Sequence, residues 1–388
     1  MDNQGKNIQD SKLSAAITKR RVVEITLLLL VVLGLSWFVI FNESRPGWDF
    51  RNNLWAPSYL LLNGQSPYKI EVLYALGNAV WMPMVIGAFF PLGFLPLQQA
   101  SNLWLVVNAL GIIFLTWISS GFRRPAILKF TIALLAAFLF LPLISHLRLG
   151  QFSIGITLLF LVVVIWFGKL PVLLSAVLLA IALAKPQLVI FVLPGFLFSH
   201  YRNNNIRDTI RFVGLLLAGS LVLTVPLFIA DPNWYVDFIA AFQQNPSWKH
   251  PSTLVTLTSL TGRFGLIIWI VFAVIAFISN IWLWAKLPNR IAVLWSLALT
   301  PLVTPYVWSW DFVMILPLFI SLLFRVKGRA FWFLIMGYLI CWLLMLKTAL
   351  GNNVSDYSYW YVSWILVGTI IGATIVVKQE NKSLAHRL

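Results

Sequence analysis

The sequence predicts an all-α polytopic membrane protein of about twelve spans. Three observations carry that prediction. Of 388 residues, 60% are hydrophobic and 10% are charged, against about 25% charged in ordinary soluble domains. Apolar stretches close to one bilayer crossing, about 20 residues, recur from Val22 to Val377. The basic residues between them fall mainly on alternate connections, as orientation in a membrane demands. A water-soluble fold does not hide so much apolar surface, because part of any globule faces solvent.

Span one is Val22–Phe41, preceded by Lys19-Arg20-Arg21. It reads as a retained span, because it is long for a signal peptide and no small-residue cleavage site follows. The next spans are Gln98–Ser120, Leu128–Ser145, Ile154–Phe167, Leu170–Ala184 and Leu188–Phe198. Then come Phe212–Ile229, Leu266–Trp284, Ile291–Pro305, Phe312–Phe324, Ala330–Leu346 and Tyr359–Val377. The organisation is thus a single transmembrane domain over 22–377, with tails at 1–21 and 378–388 and two large loops at 42–97 and 230–265.

Placing both tails in the cytoplasm puts twenty of the 28 Lys and Arg residues inside and eight outside. Joining the fifth and sixth spans across Lys185-Pro186 would move Arg202, Arg207, Arg211, Arg325, Lys327 and Arg329 outside, against the usual bias. Asn78–Leu97 is apolar but broken by Pro83, Pro91 and Pro96. It reads as a re-entrant or interfacial helical piece of the first outer loop, tolerated where protein buries it.

The net charge of +16 belongs to this topology and excludes no membrane function; nothing in it asks for nucleic acid. Cys341 is the single cysteine, so no intrachain disulfide forms. No nucleotide-binding loop, no metal-ligand spacing and no serine-elbow motif appears, and no cofactor is expected.

The acidic residues outside the tails gather at outer or interfacial positions, among them Asp49, Asp231, Asp237, Asp311 and Asp356. Ionisable groups near membrane depth are costly and tend to be functional. Asp49 stands among Trp48, Phe50 and Trp55. It reads either as a partly desolvated general base or as an interfacial charge paired with Arg51. Arg148 and Lys185 are cations in apolar sequence without an adjacent acid. They either hold an anion such as a phosphate or snorkel to lipid headgroups. Lys249 and His250 lie in the second large loop beside Trp248 and Ser252. They suit polar substrate binding, with His250 able to titrate near neutrality, or are simply solvated. Asp311, after Trp308-Ser309-Trp310, is functional or caps a helix start.

From Asp49 the pattern lengthens to Asn63-Gly64-Gln65-Ser66-Pro67-Tyr68. An acid after the first span followed by Gly-x-x-Pro-Tyr resembles the signature of glycosyltransferase family 87, membrane enzymes of the GT-C fold related to bacterial mannosyltransferases of phosphatidylinositol mannoside synthesis. Trp81-Met82-Pro83 looks like that family's Pro-containing segment, Leu149-Gly150-Gln151 its Gly-Gln motif, and Ala184-Lys185-Pro186-Gln187 its Lys-Pro motif. Thr304 to Trp310 falls where the family has a late Trp-containing segment. Two places depart: Trp81-Met82-Pro83 lacks paired prolines, and Arg51-Asn52-Asn53-Leu54 stands where aromatic residues are expected.

The resemblance implies a GT-C-like helical bundle in a bacterial-type plasma membrane, acting on the extracytoplasmic side. It implies a polyprenyl-phosphate-linked sugar donor, mannose-like, a lipid or glycan acceptor, and inversion at the anomeric carbon. Asp49 would be the base. Lys185 and Arg148 would hold the lipid phosphate and His250 would help position donor or acceptor; Gln151, Gln187, Lys249, Asp311 and Tyr68 are further expected substrate contacts. The rival reading is a transporter or flippase of an amphiphile. That reading expects scattered intramembrane charge and inverted repeats, and neither is apparent in the sequence.

Overall fold

The computed structural model describes residues 47–75, 77–121, 127–244, 249–351 and 355–385, with side chains to residue 379. The predicted first span, Glu43, Arg123, Arg124 and Asn245 to Trp248 lie outside the described residues. Within them every regular element is helical. Each of the other predicted spans coincides with a helix or a helix pair. Among the described residues, five helices are long and apolar enough to cross a bilayer: Leu97–Ser120, Ile206–Ala230, Phe264–Lys286, Gly328–Ala349 and Asp356–Gln379.

The remaining predicted spans are shorter or broken, and this difference organises the molecule. Leu128–Ser145, expected as one span, is two helices, Ile127–Phe138 and Leu141–Leu149, bent by 66°. Pro142 occupies the first turn of the second helix, where it has no N–H to continue the ladder from the first. Ser153–Trp166 has 14 residues, Val172–Ala182 has 11 and Leu316–Arg325 has 10. At 1.5 Å per residue, each covers only part of a hydrocarbon layer about 30 Å thick.

The breaks are therefore irregular backbone inside a helical body. Such backbone is stable only where protein buries it or where it lines a polar cavity. Lys185-Pro186-Gln187 is one such break, with a 3-10 turn at Pro186–Leu188. The 3-10 segment Ser309–Ile315 is another, and Gly150-Gln151 a third.

Interior packing is apolar with a few satisfied polar groups. Asn280 donates to the Phe191 carbonyl at 2.8 Å, Ser296 donates to Asn280 at 2.6 Å, and the buried Trp284 indole donates to Ser296 at 2.8 Å. Such bonds tie membrane helices together where lipid offers no partner. Phe264–Lys286 is the least buried long helix. Its Ile267, Val271, Ile275 and Ile278 are exposed, as suits a lipid-facing surface.

The described part of the 42–97 loop is largely helical and packed inward. A short turn, Trp48–Phe50, runs through a π-helical turn, Arg51–Trp55, into the helix Ala56–Leu62. Pro57 explains the wide turn: without an N–H it cannot donate to the Asn53 carbonyl. π turns recur at functional sites, and this one begins two residues after Asp49. The Pro-broken segment forms the helix Pro83–Phe89 and a 3-10 turn, Phe90–Phe94, with Val85 and Ile86 fully buried.

Candidate active site

Two glycines dock the Asp49 turn on the end of the Leu141–Leu149 helix. A Cβ on Gly47 would come within 2.5 Å of the Leu149 carbonyl oxygen. Gly150 has φ of +70°, and a Cβ there would lie 2.5 Å from the Phe50 Cβ. Phe50 stacks on Trp104 at 5.6 Å, and the Trp104 indole donates to the Gly150 carbonyl at 2.9 Å. Gly150→Ala is expected to cost about 1–3 kcal/mol and to push Phe50 and Asp49 out of register. A lowered thermal midpoint together with reduced activity in the purified variant would show it.

From that joint a continuous polar line runs inward. Gln151 donates from Nε2 to Asp49 Oδ2 at 2.5 Å. Its Oε1 accepts from Lys185 Nζ at 2.6 Å. Lys185 pairs with Asp311 Oδ1 at 3.1 Å and reaches Ser153 Oγ at 3.4 Å. Ser153 in turn donates to Asp311 Oδ1. Asp311 Oδ2 accepts the Trp308 N–H at 3.1 Å. Gln151, Ser153, Lys185 and Asp311 are buried, and Asp49 is half-buried at the outer end.

The chemistry of the partners fixes the orientation of the amide. A lysine ammonium only donates, so the Gln151 oxygen must face Lys185 and its NH2 must face Asp49. Asn53 Nδ2 approaches the other carboxylate oxygen at 3.3 Å. Both oxygens of Asp49 are thus placed to accept, which is the arrangement of an ionised carboxylate. Burial nevertheless pushes the carboxyl up, from an ordinary value of 3.8 to about 6. Lys185 opposes that rise, Asp311 adds to it and the Gln151 bond opposes it. A carboxylate so held is ionised at neutral pH yet more basic than one in water.

Asp311 caps the 3-10 segment through the Trp308 N–H, as one of its two readings expects, and it is the buried partner of Lys185. The alternative pairing of Asp49 with Arg51 does not occur. Arg51 lies between the Trp48 and Tyr74 rings, 4.6 and 4.1 Å from their centroids, and donates to Asn52 at 2.9 Å. Tyr68 is buried and donates to the Trp81 carbonyl at 2.9 Å, while the Trp81 ring lies 5.6 Å from Lys185 Nζ. Tyr68 therefore supports the wall of the line without joining it.

Arg148 and Lys249 are exposed and Gln187 is half-buried. Among the described residues none of these three joins the hydrogen bonds around Lys185. His250 bonds through Nε2 with the Pro305 carbonyl at 3.0 Å and packs on Tyr306 at 4.7 Å.

Sequence reasoning missed Asn53 and Ser153. Asn53 follows Asp49 by four residues, the spacing that faces two side chains on a helical rod. Its other end takes the Val80 N–H at 2.8 Å. Ser153 carried no sequence signal beyond its place two residues after Gln151.

The profile of Glycosyltransferase family 87 matches residues 82–305, more than half of the chain. The matched stretch contains Gln151 and Lys185; Asp49 precedes it and Asp311 follows it. No curated protein and no solved structure matches the chain. With its several apolar helices and a family match over most of the helical body, the chain belongs to glycosyltransferase family 87 and is a membrane glycosyltransferase.

Proposed function

We propose that this chain transfers a hexose, mannose-like, from a polyprenyl-phosphate donor to a hydroxyl of a lipid or glycan acceptor, with inversion, on the extracytoplasmic side. The observation that carries the reading is the line from Asp49 through Gln151 to Lys185, which sets a basic carboxylate and a buried ammonium at opposite ends of one amide. The Asp49 carboxylate takes the proton of the acceptor hydroxyl. That oxygen attacks the anomeric carbon while the bond from carbon to phosphate oxygen breaks. Negative charge grows on the departing phosphate, and fixed positive charge nearby stabilises it.

Lys185 has three N–H donors; Gln151 and Asp311 take two, and the contact to Ser153 at 3.4 Å is the weakest. The phosphate is received in place of that third contact. Arg148, exposed one residue before Leu149, meets the lipid phosphate from the surface. One carboxylate base suffices for a single displacement, where a hydrolase needs two. A flippase would not need a carboxylate tuned in this way.

Transfer of radiolabelled hexose from a synthetic polyprenyl-phosphate donor in membranes containing the chain tests the reading; no transfer to any lipid or glycan fraction would overturn it. Because Asp49 must be ionised to act, kcat/KM is expected to fall as pH drops through about 6 and to be level above it. An acid limb near the ordinary carboxylate value of 3.8 would contradict the tuned base.

The outward placement has its own check. Both termini are proposed to be cytoplasmic, which puts Gln65 outside and Lys286 inside. Both side chains are exposed, and Cys341 is fully buried. A cysteine at Gln65 is expected to react with an impermeant maleimide on intact cells, and one at Lys286 only after permeabilisation. The reverse pattern would invert the topology.

A further inference from the structure

Beside the charged line stands a group of aromatic residues that the proposed chemistry does not use. Trp308 and Trp310 stack in parallel, 5.0 Å apart with 9° between their planes. Tyr306 meets Trp308 edge-on at 6.0 Å, and His250 lies 4.7 Å from Tyr306 and 5.8 Å from Trp308. All four are half-exposed.

The backbone at and just after the first indole is held by two carboxylates. Asp311 holds the Trp308 N–H. Asp356, in the 3-10 turn that opens the last span, accepts the Ser309 N–H at 3.0 Å and the Ser309 hydroxyl as well. Two carboxylates fixing two successive N–H groups make a platform that loses little freedom when something binds to it, so contacts there convert efficiently into affinity.

An ordinary belt of interfacial aromatics keeps its polar tips wet. Here the Trp308 indole N–H is taken by the Tyr306 hydroxyl at 2.9 Å. The Trp310 indole N–H is shut off from solvent, so neither indole tip is wet. A flat aromatic face edged by the half-exposed Tyr306 phenol and His250 ring matches a pyranose ring. Such a ring offers C–H bonds to the indole and hydroxyl groups to those polar edges. A hydrocarbon tail would cover those polar groups and give them no partner.

We infer that the Trp308–Trp310 stack, bordered by Tyr306 and His250, is a pyranose-binding shelf, which receives the ring of the transferred sugar or of a glycan acceptor. The inference rests on the proposed transferase function only for the choice between those two sources.

The test uses the full chain in phosphatidylcholine nanodiscs, so that no glycoside detergent competes. Saturation-transfer NMR is recorded with methyl α-mannopyranoside and methyl β-glucopyranoside as probes. Signal on the ring protons of at least one probe is expected for the wild type, to be lost in Trp308→Leu and regained in Trp308→Phe. No signal in the wild type, or signal unchanged in Trp308→Leu and Trp310→Leu, overturns the shelf, whatever transfer assays give.

In transfer assays each Leu variant is expected to raise one KM about tenfold, the size of one good aromatic contact, while kcat moves less. A change in donor KM places the transferred sugar on the shelf, and a change in acceptor KM places the acceptor there. Transfer with both KM values unchanged in folded variants overturns it. Probe binding without any transfer would leave the shelf standing and overturn the transferase mechanism instead.

Discussion

Replacing Asp49 with Asn is expected to lower transfer by about two to four orders of magnitude, the usual contribution of a positioned general base. The protein is expected to stay folded. The amide keeps the shape of the carboxyl, and its oxygen still accepts from Gln151. Only the contact with Asn53, at 3.3 Å, is put at risk. Stability is expected to hold or rise above neutral pH, and the direction follows from the titration.

Burial raises the folded-state value to about 6 from 3.8. Folding therefore favours the protonated carboxyl, and ionised Asp49 works against stability once the pH exceeds about 6. Asn removes that cost. Its thermal midpoint should match or exceed wild type at high pH, and the advantage should shrink as pH falls from about 6 towards 3.8. A variant that keeps full transfer would remove Asp49 from the mechanism. A variant that unfolds would show that the carboxylate serves structure.

Lys185→Met is expected to abolish transfer and to destabilise the protein together. Removing one partner of a buried ion pair leaves the other charge uncompensated, at a cost of about 3–5 kcal/mol. Here the stranded charge is Asp311, which is fully buried. The two effects separate in the double variant Lys185→Met with Asp311→Asn. The amide oxygen still accepts the Trp308 N–H, and no charge is stranded, so most of the thermal stability should return. Transfer should not return, because the departing phosphate has lost its fixed cation. Recovery of activity along with stability would mean that Lys185 acts only as a structural counterion.

Much of this was legible in the sequence, for physical reasons that differ from place to place. Long apolar helices such as Phe264–Lys286 announce themselves, because lipid-facing surface has to be continuously apolar. The break at Lys185-Pro186 was legible through charge: an unbroken helix there would invert the topology of every later basic residue. The bend between Phe138 and Leu141 was less visible, although Pro142 marks it, because its flanks together make one span of plausible length.

In the site, Asp49, Lys185 and Asp311 stood out as charged groups near or inside apolar sequence, while Gln151 entered through the family's Gly-Gln motif. What the sequence did not convey was that all but Asp49 sit at breaks between short helices, which is what lets three separate segments meet. Asn53 and Ser153 are ordinary polar residues whose role exists only through contacts across the fold. Arg148 shows the converse. It is as conspicuous in sequence as Lys185, yet it lies on the outer side of its helix, next to the buried His146 and Leu147.

In the proposed mechanism Asp49 and Lys185 act on opposite sides of one anomeric carbon. A structure of the chain with a non-transferable polyprenyl-phosphate hexose bound would test it most directly. The expected result is a phosphate oxygen within about 3 Å of Lys185 Nζ, as a charge-assisted hydrogen bond requires. The Asp49 carboxylate should then face the anomeric carbon from the side away from the phosphate. A phosphate held elsewhere, with the Lys185–Asp311 pair untouched and Asp49 turned away from the sugar, would contradict it.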